Sequence, residues 1–167
     1  MDATRAAAAL AYMDANASAV AVHPGAAYAE GEILRRAVNA AASGPCGLIG
    51  DAYLADLQRG VMTVSDRSQA YRLTHAILFC SDFGRLPIEG IDGAGYAALL
   101  EQLVADYLAD TDVLGELLMC AKCIGYWSSA LDSALATFTA AWDALDRNDF
   151  AESYHPLLVG GLLFSME

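Results

Sequence analysis

Residues 112–127, DVLGELLMCAKCIGYW, decide the fold class. At about 3.6 residues per turn this run is apolar on almost every side, and a helix apolar all round lies in a core. Val113, Leu114, Leu117, Leu118, Ala121 and Ile124 supply the apolar surface. Glu116, Cys120 and Cys123 fall at i, i+4 and i+7 and share one face, with Asp112 a turn earlier and Trp127 a turn later. A carboxylate carried into a core needs a hydrogen-bonding or charged partner, or a shifted pKa. The rest of the chain must supply that partner.

On the N-terminal side, Asp110-Thr111-Asp112 is a tight break. Before it the pattern predicts a helix over 94–109, capped by Asp92, with Leu99, Leu100, Leu103, Val104 and Tyr107 as its buried stripe. A helix over 66–82 is capped by Ser65 and stopped by Phe83-Gly84-Arg85-Leu86-Pro87. Val61–Val64 is β-branched but short and has no pairing partner, so it reads as a connector. A short helix over 51–59 ends at Gly60. Two alanine-rich helices, over about 4–20 and 26–42, open the chain, with His23-Pro24-Gly25 as the turn between them.

On the C-terminal side, Ser128 or Ser129 starts a helix, and Asp132 completes a Ser-x-x-Asp pattern after Ser129. Leu131, Leu135, Phe138, Trp142 and Leu145 follow at three- and four-residue steps. A last helix over 155–164 takes Pro156 at its first position, although it carries Gly160-Gly161. The sum is an all-α protein of one domain, residues 1–167. It has seven or eight antiparallel helices, in a compact bundle or an arc of helical hairpins, with no significant sheet.

Nine Lys and Arg against 21 Asp and Glu, a net charge of -12, argue against nucleic acid and against anionic membrane surfaces. The N-terminus has no basic segment and carries Asp2 and Asp14, unlike a signal peptide, so a cytoplasmic location is expected. Four cysteines do not make a secreted disulfide framework. There is no nucleotide motif. A small apolar metabolite and a second copy of the chain remain as partners.

Three stretches could carry chemistry. On the 66–82 helix, Tyr71, His75, Leu78, Phe79 and Asp82 share one face, so His75 is a candidate general base or metal ligand; the plain reading is a core histidine bonded to a carbonyl. At Ser153-Tyr154-His155-Pro156, His155 can place its ring over a cavity and Tyr154 can add a hydroxyl, or the pair simply forms a helix entry. Cys120-Ala-Lys-Cys123 lacks the second pair of a zinc ribbon and the βαβ setting of a thioredoxin site. On a helix its sulfurs could join His75, Glu116 and His155 around a divalent metal, or they are small core residues. For Glu116 itself the structural partners are Arg72, Arg85, Tyr71 or Tyr154. Asp112 is accounted for by the helix dipole.

Thr74-His75 through Asp82-Phe83-Gly84, Asp112 through Glu116-Leu117-Leu118, and Tyr154-His155 together resemble an uncharacterised family of actinobacterial helical proteins, over roughly the last hundred residues. The resemblance implies that these positions belong together and brings no established activity. The preferred functional reading is a small-molecule-binding protein. His75, Asp82, Glu116, Tyr154 and His155 converge on an interhelical cavity, for acid–base or metal-assisted chemistry in metabolite biosynthesis. The alternative is a non-catalytic interaction module with an acidic outer surface.

Overall fold

A computed structural model describes residues 50–166. These residues form six helices: α1 (Gly50–Gln58), α2 (Arg67–Cys80), α3 (Gly93–Asp106), α4 (Thr111–Cys123), α5 (Ser129–Asp143) and α6 (Phe150–Ser165). Among the described residues there is no strand, and 61–64 is a connector as its sequence indicated. The helices expected over 4–20 and 26–42 lie outside the described residues, so of the expected seven or eight helices six are seen.

The 112–127 stretch is the centre of the fold. Val113 to Ala121 of α4 are all buried, and α4 packs against α2, α3, α5 and α6. Close approach is possible because Gly115 presents no side chain. A Cβ built there would lie 2.5 Å from Val159 Cγ1 on α6 and 2.6 Å from Phe138 Cε2 on α5. Gly160 does the same for α6 against α5, where the Trp142 indole lies on its backbone. Gly160 therefore continues the helix instead of weakening it.

Asp66 caps α2 and Asp92 caps α3, each accepting from the amide three residues on. Asp66 replaces the expected Ser65, whose hydroxyl and amide both donate to the Gln69 side chain. Ser128 caps α5 without a side-chain bond, because its hydroxyl donates to Glu101 instead (2.7 Å). Asp132 accepts from the Trp127 indole (2.8 Å), so the expected Ser129–Asp132 box does not form.

Four boundaries differ from the sequence reading by two or more residues. α3 stops at Asp106, three residues before the expected end at 109. α4 stops at Cys123, four residues before Trp127. Gly125, at φ +70°, closes a Schellman motif in which Tyr126 N–H donates to Ala121 O and Gly125 N–H to Lys122 O. Trp127 therefore leaves the Glu116 face. A Cβ at Gly125 meets nothing within 4 Å, so Gly125→Ala tests backbone conformation alone. The substitution should cost about 1–2 kcal/mol, read as a lower urea midpoint with an unchanged m-value.

α2 ends at Cys80, and Asp82 and Phe83 both take left-handed φ (46° and 55°) just beyond it. α6 begins at Phe150, not at His155, which puts Pro156 inside the helix. The cause lies upstream: the Ser153 side chain donates to Asp146 O and its amide to Asp149 O, starting the helix a turn and more before the proline.

Candidate functional site

Asp110, not Asp112, caps α4: its carboxylate accepts from Val113 N–H at 3.2 Å. Asp112 is thereby released from the helix end and turned toward α2 and α6. Its Oδ2 accepts from the Tyr71 hydroxyl and, at 3.4 Å, from Arg67 Nη2. Its Oδ1 bonds His155 Nδ1 on α6. Arg67 also grips Asp110, with Nε donating at 2.7 Å and Nη2 at 3.3 Å.

Burial alone would raise the Asp112 carboxyl. The hydrogen bond and charge of His155, the Tyr71 hydroxyl and the Arg67 charge outweigh burial and hold it below the usual carboxylate range. Asp110 is likewise lowered against its burial, by Arg67 and the Val113 amide. Burial, with the bond to Asp112, pushes the Tyr71 phenol up, so Tyr71 keeps its proton and donates it. An ionised Asp112 only accepts, which fixes the proton of His155 on Nδ1.

One turn further along α4, Glu116 is 2% exposed. Thr74 on α2 donates its hydroxyl to Glu116 Oε2. The other oxygen, Oε1, faces two imidazoles: His155 Nε2 at 3.6 Å and His75 Nε2 at 3.8 Å. The buried acid is thus met by one hydroxyl and two histidines. The arginines considered for it pair elsewhere, Arg72 with Asp56 and Arg85 with Asp82 at 3.6 Å.

The structure thus brings His75, Glu116 and His155 together, but of the three only His155 lines a cleft. Asp82 does not join them, since it lies past the end of α2. Tyr154 is half-buried and, about 100° around α6 from His155, points to another face. Cys120 is buried and its thiol donates to Thr74 O (3.5 Å). Burial, with Cys123 and Glu116 nearby, keeps its pKa well above the ordinary value, and burial pushes Cys123 up to about 11. Both thiols therefore stay protonated near neutrality, which does not suit a nucleophile. Among the described residues no group of three or more His, Cys, Asp or Glu side chains is arranged to hold a metal ion. Cys80, Cys120 and Cys123 form no disulfide among the described residues, and Cys46 lies outside them.

Sequence reasoning passed over Thr74, Arg67 and Asp112 as working parts. Their signal was present as spacing. Arg67, Tyr71, Thr74 and His75 fall at i, i+4, i+7 and i+8 on one face of α2, and Asp112 and Glu116 at i and i+4 on α4.

An open cleft of about 700 Å³ adjoins the network. The end of α3, the α3–α4 loop and the start of α4 form one side, with Asp106, Tyr107 and Asp110 on it; Leu145, His155 and Pro156 form the other. Glu116 and His75 do not line it. His155, with its side chain 29% exposed, connects the cleft to the buried acid.

The chain belongs to the family described as a domain of unknown function, DUF6895, whose model matches residues 35–147. The match begins earlier than the last hundred residues and stops before α6, so α2 and α4 are inside it and His155 is outside. No curated protein and no solved structure matched the chain. Among the described residues no helix is long and apolar enough to cross a membrane.

Proposed function

We propose that this protein binds a small metabolite in the cleft between α3 and α6 and performs acid–base chemistry on it. The observation that supports this reading is the setting of His155. Its Nδ1–H is fixed on ionised Asp112, its ring forms part of the cleft wall, and its Nε2 faces a buried carboxylate. A carboxylate that orients one imidazole nitrogen leaves the other to take or give a proton. Tyr71 and Arg67 in turn hold Asp112, so the orienting group is itself held in place.

The cleft wall supports a ligand class. Tyr107, Leu145 and Pro156 offer apolar surface, and Asp106 and Asp110 add negative charge. Arg67 already donates to Asp110 and Asp112. A neutral or cationic ligand with an apolar body fits these walls, and an anion is disfavoured. Hydrolysis, isomerisation or cyclisation of such a metabolite is the reaction class. A cytoplasmic location and membership of an actinobacterial biosynthetic system belong to the same proposal.

A matched trio tests it: phenethylamine, 2-phenylethanol and 3-phenylpropionate, titrated against 15N-labelled protein. The amine or the alcohol should perturb the amides of residues 106–112 and 155, with millimolar affinity typical of fragments, and the carboxylate should not. His155→Gln should weaken the response. If a wider fragment set also leaves these amides unmoved, the small-molecule reading fails and the interaction module becomes the better account.

A further inference from the structure

We infer that Glu116 joins His155 and His75 into one proton relay, in which His75 is the positioning residue that stores the proton His155 must give up to act as a base. The inference rests on the acid–base reading of His155 and deepens it, because it assigns a role to two groups that never reach the cleft.

The geometry is specific. Thr74 occupies Glu116 Oε2, so Oε1 alone serves both rings. Its separations of 3.6 Å from His155 Nε2 and 3.8 Å from His75 Nε2 exceed a hydrogen bond, so the relay requires the Glu116 carboxylate to approach each ring in turn by several tenths of an ångström. The groups facing Glu116 can be named. Tyr71, Thr74 and His75 come from α2, Asp112 and Cys120 from α4, and His155 from α6. The buried residues of α5 are apolar, and those of α3 are apolar apart from Tyr96, whose phenol bonds the Leu57 and Gly60 carbonyls.

His155 lies between two carboxylates, Asp112 on Nδ1 and Glu116 on Nε2. Both favour its doubly protonated form. In that form it has no lone pair and cannot accept a proton. The relay removes this obstacle. The Nε2 proton of His155 passes to Glu116 Oε1, and a proton passes from Oε1 to His75 Nε2. Glu116 ends as a carboxylate again. His155 ends neutral, with Nδ1–H on Asp112 and a free lone pair on Nε2, and His75 becomes the imidazolium. The total charge is unchanged and no co-reactant is needed. His75 is suited to hold the charge, since its ring sits between those of Tyr71 (5.8 Å) and Phe79 (5.3 Å), whose π faces favour a cation.

The test is an NMR pH titration of the histidine ring Cε1–H signals, which needs no ligand. In the parent, the His75 and His155 curves should share inflections, as coupled sites do. His75→Gln removes the competitor for Oε1 and should raise the His155 midpoint by about half a pH unit or more. Glu116→Gln should lower both midpoints and leave single-step curves. A merely structural His75 would not move the His155 midpoint while the amide spectrum stays native. Independent single-step curves in the parent, or an unmoved His155 midpoint in folded His75→Gln, would overturn the relay. Either result leaves the cleft's ligand binding to be judged by the fragment titration, and an unresponsive cleft leaves the coupled titration intact, so the two failures are distinguishable.

Discussion

Replacing Asp112 with alanine should lower the unfolding free energy by about 3 kcal/mol, the lower end of the range for removing one partner of a buried ion pair. The lower end applies because Asp112 and His155 keep 19% and 29% of their side chains exposed. Asp112→Ala leaves two part-buried donors without this acceptor, the Tyr71 hydroxyl and the His155 Nδ1–H, while Arg67 keeps Asp110 and solvent. The substitution also removes the charged bond between α4 and His155 on α6, which the more distant Glu116, 3.6 Å from His155, does not replace.

The effect should depend on pH, with a sign the carboxylate dictates. A carboxyl held below its ordinary value contributes stability above about pH 4, where the unfolded group is ionised, and loses it as pH falls through the lower folded value. Urea melts of parent and Asp112→Ala should therefore lie furthest apart near neutrality and draw together in acid. Equal midpoints at pH 7 would show that the network contributes nothing to the fold. Asp112→Asn should fall between the two, because it can still accept from Tyr71 while losing the charge.

The helical class and the central place of residues 112–127 were legible because both rest on periodicity. A run of nine consecutive buried residues in α4 is what an all-round apolar pattern requires. The convergence of His75, Glu116 and His155 was legible in part, because a buried acid restricts its own partners. What escaped was the identity of the hydrogen-bonding groups. Asp110 and Asp112 are both acids at a helix start, and the dipole argument fits either. Only the backbone shows that Asp110 takes the cap and frees Asp112 for the site.

Asp82 was misplaced for a related reason. Its spacing from His75 fits a helix that continues, but the chain turns left-handed at Asp82 and Phe83. Gly84 beyond them signalled a stop without saying that two residues before it would already have left the helix. Thr74 gave no signal of its own, since a hydroxyl in an apolar run usually bonds a carbonyl one turn back. Its Oγ1 does lie 3.0 Å from Tyr71 O, but the single hydroxyl proton goes to the Glu116 carboxylate, and that link depends on where α2 crosses α4.

Gly160→Ala should be destabilising although alanine is the better helix former. In an open helix interior the exchange gains up to about 1 kcal/mol. Here the added Cβ would lie 2.1 Å from Trp142 Nε1 and 2.4 Å from its Cδ1, far inside contact distance. The indole cannot yield as a flexible side chain would. It is 1% exposed and packs edge-on against Phe164, with ring centroids 5.3 Å apart. Its N–H finds no hydrogen-bond partner among the described residues, so packing and the Arg147 guanidinium over its face (5.3 Å) hold the ring. The methyl must therefore separate α5 from α6, and overpacking of this kind costs about 3 kcal/mol or somewhat more. Gly115→Ala should behave alike, against the Val159 methyl and the Phe138 ring. Gly93→Ala is the control: a Cβ there meets nothing within 4 Å, and the variant should melt at or slightly above the parent. Thermal melts should place Gly160→Ala about 6–12 °C below the parent, with altered Trp142 fluorescence. A Gly160→Ala protein that melts with the Gly93→Ala control would mean that α5 and α6 do not approach this closely. In that case Pro156 and Leu145, and with them the far wall of the cleft, would not lie where the proposed ligand needs them.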